Sequence, residues 1–309
     1  HQEQLRKNLT YWLPKLPGTN HDITIPVEEG WSCFNPSIAA GPDGELRAII
    51  RTANYVMSDS GHYGGKYDEE AVIRTENYLV EFTPSLEQFL FNPQRIIDDH
   101  LRPDPSLYPV QGFEDCRLFY HRGWKFSATV RERNTRGICQ QVMCSLNGNR
   151  ATRLVELSPA HDTHHKNWMY NGRNYTSRPG FVQKCYQDTW HYPWSKSQPY
   201  TSHAFRGGSQ LVPVALDEYL AVIHESVDFP GQSPHRVYWH RLVMFHRGHI
   251  TRISQPFCFQ RRGVEFAAGM ARHGDDLLIS YGVADKEAWL HRMPLKDALA
   301  MLYPVEDQR

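Results

Sequence analysis

Gly112-Phe113-Glu114-Asp115-Cys116-Arg117-Leu118-Phe119 opens the hairpin from which the fold can be predicted. Its strand runs to Tyr120, turns at His121-Arg122-Gly123 and returns from Trp124. Adjacent residues on an extended chain point to opposite faces, so we expect the two neighbouring carboxylates to do different jobs. One would face a cleft while the other pairs with an arginine. The alternative reading is a solvated acidic turn before a strand.

Four other stretches have the same build, in which a polar residue is followed by an apolar strand, a turn and a return strand. They begin at Asn35, Lys166, Gly208 and Glu265. A recurrence of this kind, at a spacing of roughly 40 to 80 residues, is typical of repeat folds whose unit is a small antiparallel sheet. The sequence therefore predicts an all-β fold, a five-bladed β-propeller. An ordinary β-sandwich with many hairpins is the alternative.

The chain of 309 residues is long enough for one large propeller domain spanning residues 1–309. We expect residues 1–30 to be an irregular lead-in, because Leu13-Pro14-Lys15-Leu16-Pro17-Gly18 interrupts regular structure. One short C-terminal helix is predicted at residues 295–302, where the apolar residues recur with helical spacing.

Composition narrows the classes of partner. Lysine plus arginine equals aspartate plus glutamate at 34 each, so no net field attracts nucleic acid or an anionic membrane. No apolar run approaches the ~20 residues of a membrane span, and the N-terminus lacks a signal-peptide pattern. The six cysteines are scattered without a CxxC pair. We read them as reduced thiols and expect a cytoplasmic protein, with the oligomeric state left open.

In a propeller, the entrances of the innermost strands converge on one mouth of the central channel. The polar starts of the five hairpins and the ends of their return strands form a candidate cleft: Asn35, Arg51, Glu114, Asp115, Arg131, Lys166, Gln210, His224, Glu225, Glu265, Tyr281 and Asp285, with Trp168 and Phe266 nearby. Carboxylates and aromatic rings suit a carbohydrate, whereas arginine, lysine and histidine suit an oxyanion. The combination indicates a sugar reaction that involves phosphate.

Glycosidic cleavage usually needs two carboxyl groups, but one acid suffices where phosphate is the attacking group and cations hold it in place. The run from His161 to His165 does not have a known metal-ligand spacing, so we predict no metal. The sequence has neither a nucleophile elbow nor a glycine-rich phosphate loop.

Four motifs in order resemble those of the β-mannoside phosphorylases, glycoside hydrolase family 130. Gly112 to Arg117 is similar to Gly-x-Glu-Asp-Pro-Arg, and His165-Lys166-Asn167-Trp168 to a Lys-Asp motif. Leu220 to Glu225 is similar to an apolar run ending Tyr-His-Gly, and Ser280 to Asp285 to Tyr-Gly-Ala-Ala-Asp. That family also contains inverting β-1,2-mannosidases, and related proteins are β-1,2-mannosyltransferases. The resemblance implies a five-bladed propeller and covers most of the chain.

The resemblance also implies residue roles. Asp115 would be the acid that protonates the glycosidic oxygen. The phosphate would be bound by Lys166, His224 and Tyr281, with one or more of Arg51, Arg117 and Arg131. Asn35, Gln210 and Asp285 would hold the sugar by their position in the matching motifs. We add Glu114, Arg117, Trp168 and Glu265 to the expected substrate-binding set. No cofactor is implied, and inorganic phosphate would be a co-substrate.

Three residues depart from the family pattern, since Cys116 replaces proline, Asn167 replaces aspartate and Glu225 replaces glycine. Glu225 would repel phosphate and could act as a general base on water. An inverting hydrolase with Asp115 as acid and Glu225 as base is therefore one alternative. A non-catalytic carbohydrate-binding propeller is another, because fold does not fix function.

The combination of motifs resembles a divergent branch often seen beside or fused to glycosyltransferases. We therefore expect an oligosaccharide or sugar phosphate as ligand, and a glycosyltransferase as a neighbour or fusion partner.

Overall fold

The computed structural model describes residues 2–67, 71–83, 85, 92–99, 108–131, 134–158, 164, 166–170, 205–246 and 249–305. Within these ranges the chain is all-β apart from two short helices, α1 (Gln2–Leu9) and α2 (Leu295–Ala300). Four sheets of four or more strands are arranged in a propeller-like ring, and we call them blades 1 to 4 in chain order. The predicted all-β class is confirmed.

Blades 1 and 2 are meanders whose first strands lie innermost. The strands of blade 1 are β2 (Ser32–Ala40), β3 (Leu46–Ala53), β6 (Ile73–Phe82), β7 (Gln94–Arg95) and β9 (Val110–Gln111), with a small separate hairpin of β4 (Val56–Met57) and β5 (Tyr63–Gly64) inserted after β3. Blade 2 consists of β10 (Glu114–Tyr120), β11 (Trp124–Val130), β12 (Gln140–Asn147) and β13 (Arg150–Glu156), with β8 (Ile97–Asp98) parallel to β13.

Blades 3 and 4 each recruit a strand from a chain end. Blade 3 consists of β14 (Arg206–Gly207), β15 (Val212–Ala215), β16 (Glu218–Asp228), β17 (Arg236–His246), β18 (His249–Ser254) and the late strand β22 (Leu302–Pro304). Blade 4 consists of β19 (Glu265–His273), β20 (Asp276–Val283), β21 (Glu287–Pro294) and the early strand β1 (Thr19–Asp22). The two ends of the chain are thereby held in neighbouring sheets.

Hydrogen bonds between innermost strands hold the ring together. The Ser37 hydroxyl accepts from the Leu118 amide at 2.9 Å, which joins blade 1 to blade 2. The Ser280 hydroxyl donates to the carbonyl of Pro36 at 2.7 Å, which joins blade 4 to blade 1. These buried strands are rich in Ile, Leu, Val, Ala and Phe, and the apolar clusters lie between and within the blades. Burial of these apolar side chains makes the main contribution to the stability of the fold.

The number of blades differs from the prediction, because the described residues form four blades and not five. The hairpin predicted at Lys166 has its turn at Asn171-Gly172, and residues 171–204 lie outside the described ranges. Residues 166–170 themselves lie between blades 2 and 3. The ring of Tyr170 is 4.0 Å from that of Phe119 in blade 2, and its carbonyl accepts from the Leu211 amide at 2.8 Å.

The lead-in is more ordered than predicted, because it contains α1 and β1. Alpha-helix α1 is held by tertiary contacts, with Leu9 and Leu13 packed on the cluster of Val227, Trp239 and their neighbours. A helix of eight residues has little stability alone, so its formation depends on these contacts, which the local sequence does not reveal. The C-terminal helix is confirmed, but it ends at Ala300 because residues 302–304 pair with blade 3.

Five cysteines in the described ranges are buried and unbridged, and Cys185 lies outside those ranges. In the part of the chain that is described, no helix is long and apolar enough to cross a membrane.

Candidate active site

Bulges in the innermost strands shape the site. The register between β2 and β3 shifts between Phe34 and Ser37, and the register between β10 and β11 shifts between Glu114 and Arg117. The extra residue has a left-handed backbone in both strands, with φ of 47° at Asn35 and 49° at Asp115. Non-glycine residues seldom adopt this conformation, and aspartate and asparagine tolerate it best.

The bulge corrects one prediction from strand alternation. Glu114 and Asp115 both line the same cavity, although adjacent residues of a regular strand would face opposite ways. Asn167 in the segment between blades 2 and 3 has a φ of 59° and lines the cavity too. Left-handed residues therefore recur at the cavity, where strain is commonly stored for function.

The cavity has a volume of about 830 Å³, which is ample for a saccharide. Eight of the predicted site residues line it: Asn35, Arg51, Glu114, Asp115, Arg131, Lys166, His224 and Asp285. Residues of the same cavity that sequence analysis missed are Glu3, Arg6, Tyr55, Met57, Tyr63, Thr129, Asn167, Arg206, Ser226, Val227, Asp228, His235, Arg236, Tyr238 and Val264. Phe266, predicted as a nearby ring, also lines it.

Asp115 is held as a carboxylate by two neighbours from blade 1. Its Oδ1 accepts from Arg51 Nη1 at 2.8 Å and from Asn35 Nδ2 at 3.0 Å. Burial raises the pKa of this carboxyl, but the charges of Arg51 and Arg117 and the two hydrogen bonds outweigh burial and lower the pKa to about 2. Asp115 is therefore ionised at neutral pH in the unliganded protein.

Two of the predicted phosphate-binding arginines are engaged with carboxylates. Arg51 is buried beneath the cavity, with Nη2 3.5 Å from Oε2 of Glu114 and its guanidinium 4.8 Å from the ring of Phe34. Arg131 places Nε 3.0 Å from the other oxygen of Glu114. Glu114 thus lies between two guanidinium groups, and Arg51 joins it to Asp115.

A second group of cations surrounds His224. Arg206 pairs with His224 across β14 and β16, and Lys166 lines the same cavity. Burial, followed by the neighbouring His240, Arg206, Arg117 and Lys166, lowers the pKa of His224 well below its ordinary value. Its imidazole is therefore neutral, and its buried Nδ1 has no hydrogen-bond partner among the described residues. This region of the cavity suits an anion.

Asp285 is a second cavity carboxyl with an environment opposite to that of Asp115. It occupies the turn between β20 and β21 with a φ of 50°. Burial is the main cause that raises its pKa to about 6; the nearby Arg51 and Arg236 lower the pKa, and Asp115 and Glu114 raise it. Asp285 therefore titrates near neutrality, whereas Asp115 does not, a separation that is common at functional sites.

Three residues that we predicted to bind substrate or phosphate do not line the cavity, and their side chains are bonded to other groups of the protein. The Gln210 amide donates to the carbonyls of Ile38 and Met270 at 2.7 and 2.9 Å. Glu265 accepts from the backbone amides of residues 259, 260 and 261 at 2.7, 2.8 and 3.0 Å. Tyr281 donates to Asn20 Oδ1 at 2.9 Å and stacks on Phe259. Each supports the fold, so we correct their assignment to ligand binding.

Glu225 faces away from the cavity because β16 is regular there and alternates, with His224 inward and Glu225 outward. Its Oε2 accepts from Trp239 Nε1 at 2.8 Å and from Arg241 Nε at 3.3 Å. The carboxylate is buried, and burial raises its pKa. This position corrects the prediction of Glu225 as a base that meets a water in the cleft.

Arg117 and Trp168 do not line the cavity either. The buried Arg117 donates from Nε to the Gly208 carbonyl at 2.9 Å and from Nη2 to Asn167 Oδ1 at 3.3 Å, and also contacts the Asp115 carbonyl. It therefore positions Asp115 from behind. Trp168 is half-buried beside Asn167.

No group of three or more His, Cys, Asp or Glu residues in the described ranges could hold a metal. The run from His161 to His165 lies outside those ranges except for His164, whose Nδ1 accepts from the Cys139 amide at 3.1 Å.

Comparison with solved structures identifies the architecture. A β-1,2-mannobiose phosphorylase from Listeria innocua superposes with a TM-score of 0.58 at 12% identity, over 90% of this chain and 94% of the other. This chain has the fold of the mannoside phosphorylases. A glycosyl hydrolase from Bacteroides ovatus gives a TM-score of 0.56 at 14% identity, over 92% of this chain and 97% of the other.

A third structure, described as a member of the GH130 mannoside phosphorylases that hydrolyses β-1,2-mannosidic linkages of Candida mannan, gives the same values of 0.56, 14%, 92% and 97%. These likenesses confirm the resemblance inferred from the motifs at the level of the fold. No protein-family model matches the sequence, and no curated protein sequence matches it.

Proposed function

We propose that this protein is a carbohydrate-active enzyme that makes or cleaves a β-mannoside-like bond with inversion, using phosphate or a sugar 1-phosphate. The observation that carries the proposal is the composition of one cavity. The carboxylate of Asp115 shares it with Lys166, Arg206 and the buried, neutral His224. A carboxylate that exchanges a proton with the glycosidic oxygen and a cationic region for the phosphoryl group are the two parts that such a reaction needs.

The ionised state of Asp115 fits it to the bond-making direction. As a carboxylate it would accept the proton of the acceptor hydroxyl while that oxygen attacks the sugar 1-phosphate and phosphate leaves. In cleavage the same group would return the proton to the glycosidic oxygen. A phosphate dianion that draws Arg51 away would raise the pKa of Asp115 and prepare it for that role.

Phosphate rather than water is the favoured co-substrate because of the position of Glu225. The hydrolase alternative required this residue as the base, and its carboxylate is instead bonded to Trp239 and Arg241 outside the cavity. The names of the similar structures include phosphorylases and hydrolases, and two of these names specify β-1,2-mannosides as substrates.

The test is a product assay with β-1,2-mannobiose and other β-linked disaccharides, with and without inorganic phosphate. We expect phosphate-dependent release of sugar 1-phosphate, and the reverse synthesis from sugar 1-phosphate plus acceptor. Activity should be lost in Asp115→Asn and strongly reduced in Lys166→Ala.

Free sugar formed without phosphate would instead indicate hydrolysis. Saccharide binding that is unchanged in Asp115→Asn, with no turnover of any glycoside, would indicate the non-catalytic binding propeller.

A further inference from the structure

The cavity extends well beyond the groups that the proposed reaction needs. His224, Ser226 and Asp228, at every second position of β16, line the cavity, and so does Val227 between the last two. At a rise of about 3.3 Å per residue, the cavity follows this strand for roughly 13 Å, which exceeds the length of one pyranose ring. We call the part of the cavity beyond Ser226 the outer chamber.

The floor of the outer chamber is two strands wide. Ser226 lies opposite Tyr238, and Asp228 lies opposite Arg236 in the pairing of β16 with β17. The Arg236 Nε donates to Asp228 Oδ1 at 2.5 Å, so a guanidinium and a carboxylate are fixed side by side. Such a pair presents both donors and acceptors to hydroxyl groups.

One wall of the outer chamber is the hairpin β4–β5 from blade 1. It contributes Met57 and Tyr63, and the residue Tyr63 is 48% exposed. The buried Tyr55 packs against the Tyr63 ring edge-on with 4.7 Å between centroids, which restricts its orientation. The hairpin also reaches blade 3, because the Asp59 carbonyl accepts from the His235 amide at 3.1 Å.

The opposite wall is α1, which lies outside the propeller. Arg6 anchors this helix by donating from Nη2 to the Ser226 carbonyl at 2.7 Å, with its guanidinium 5.4 Å from the ring of Trp239. The helix thereby places Glu3 and Arg6 at the edge of the cavity. Glu3 is exposed, and its carboxylate is 2.8 Å from Lys7 one turn later.

We propose that the outer chamber is a saccharide subsite, which binds an additional sugar unit of an oligosaccharide acceptor. An exposed ring held in one orientation suits the C–H face of a pyranose, and Glu3 with the Asp228–Arg236 pair suits its hydroxyls. The inference rests on the proposed function for the reacting end of the cavity. It adds that the preferred substrate has at least three sugar units, and that α1 and the β4–β5 hairpin determine this chain-length preference.

The test measures binding without turnover, in an Asp115→Asn background. Calorimetry with β-1,2-linked manno-oligosaccharides of two, three and four units should show the trisaccharide bound about tenfold more tightly than the disaccharide, a gain typical of one aromatic contact. Tyr63→Ala and Glu3→Gln should each remove most of that gain and leave disaccharide affinity unchanged.

Two matched controls separate the subsite from nonspecific effects. Lys7→Gln breaks the same helical ion pair as Glu3→Gln but removes no cavity residue, and Tyr303→Ala removes a tyrosine that is 57% exposed on β22. Both should keep the full gain with chain length.

The outcomes separate this inference from the proposed function. Equal affinity for all three lengths in the parent protein, or a gain that survives Tyr63→Ala and Glu3→Gln together, would overturn the subsite even if disaccharides are turned over. Absence of turnover with a chain-length gain that depends on Tyr63 would overturn the proposed reaction and leave the subsite standing. Failure of the unsubstituted protein, without phosphate, to bind any of the three saccharides would reject the subsite, and absence of turnover of every disaccharide in the panel would then reject the proposed reaction as well.

Discussion

Arg51 of blade 1 donates from Nη1 to Oδ1 of Asp115 in blade 2 at 2.8 Å, across the inner end of the cavity. Arg51 is almost fully buried, and the side chain of Asp115 is 24% exposed. Burial alone disfavours either charge, so each is stable there because the other is present. The ion pair therefore joins blade 1 to blade 2, and it also keeps Asp115, the candidate catalytic group, ionised.

Replacing Arg51 by Met should destabilise the protein more at pH 7 than at pH 4. In the parent protein the pKa of Asp115 is about 2, below the unfolded value of ~3.9, so its stabilising contribution is present above pH 4 and is lost as the pH falls toward 2. Without Arg51, burial would raise that pKa, and the ionised form would become unfavourable. We expect a loss of about 3 kcal/mol at pH 7, measured by urea unfolding.

Arg252→Met provides the comparison for Arg51→Met. Arg252 is half-exposed, with Nη2 3.8 Å from Glu218, so its loss should change the free energy of unfolding by less than about 1 kcal/mol at both pH values. Equal destabilisation of Arg51→Met at pH 4 and pH 7 would show that Arg51 does not control the ionisation of Asp115.

Asp285→Asn should stabilise the protein at alkaline pH. The folded pKa of Asp285 is about 6, above the unfolded value of ~3.9, so the folded state loses stability as the pH rises between these values. The amide mimics the protonated acid and removes that loss. We expect a higher Tm and a gain of up to about 3 kcal/mol at pH 8, and no difference at pH 3.5.

Glu287→Gln is the matched control for Asp285→Asn, because Glu287 begins β21 directly after that turn and accepts a hydrogen bond from Trp289 Nε1 at 2.8 Å. It should show no gain at pH 8. If Asp285→Asn has the same Tm as the parent protein at every pH, the carboxyl of Asp285 does not have a pKa near 6 in the folded protein.

The sequence predicted the propeller architecture because each innermost strand repeats the same order of polar start, apolar strand and turn. It could not predict the bulges at Asn35 and Asp115, since a bulge depends on how the extra residue is accommodated against the next strand. For example, the alternation of side chains along a strand predicted that Glu114 and Asp115 face opposite ways, whereas with the bulge both residues line one cavity.

The same limit explains which site residues were misassigned. Gln210, Glu265 and Tyr281 are polar residues at the entrances or ends of inner strands, as the ligand-facing residues are. Whether such a side chain meets a ligand or an unpaired backbone group depends on contacts between blades that no local pattern encodes. Residues of the outer chamber were missed because α1 and the β4–β5 hairpin lie outside the repeated unit.

Glu225→Gln should act on stability and not on the pH dependence of activity. The substitution removes a buried charge and the ion pair of Glu225 with Arg241, which should destabilise the protein by about 3 kcal/mol. Thermal unfolding measures this loss, and the pH–rate profile of the folded fraction should be unchanged. The double variant Glu225→Gln/Arg241→Met should recover part of the stability, because it also removes the buried cation that Glu225 neutralised.

Loss of a limb of the pH–rate profile in Glu225→Gln, with stability unchanged, would restore Glu225 to a catalytic role. That outcome would require its carboxylate to leave Trp239 and Arg241 and reach the cavity.

Gln210→Met should weaken the ring without weakening ligand binding. The side chain of Gln210 donates to the carbonyls of Ile38 in blade 1 and Met270 in blade 4, and its Oε1 accepts from the Met270 amide at 3.2 Å. Methionine has similar length but leaves these buried groups unpaired, at a penalty of about 1 to 3 kcal/mol for each buried group left unsatisfied. We expect a fall of at least about 2 kcal/mol in the free energy of unfolding.

Phosphate and disaccharide affinities of the folded protein should not change, and Gln94→Met on the exposed strand β7 should alter neither quantity. A drop in saccharide affinity in Gln210→Met with normal stability would instead show that this amide binds the sugar, as the motif resemblance implied.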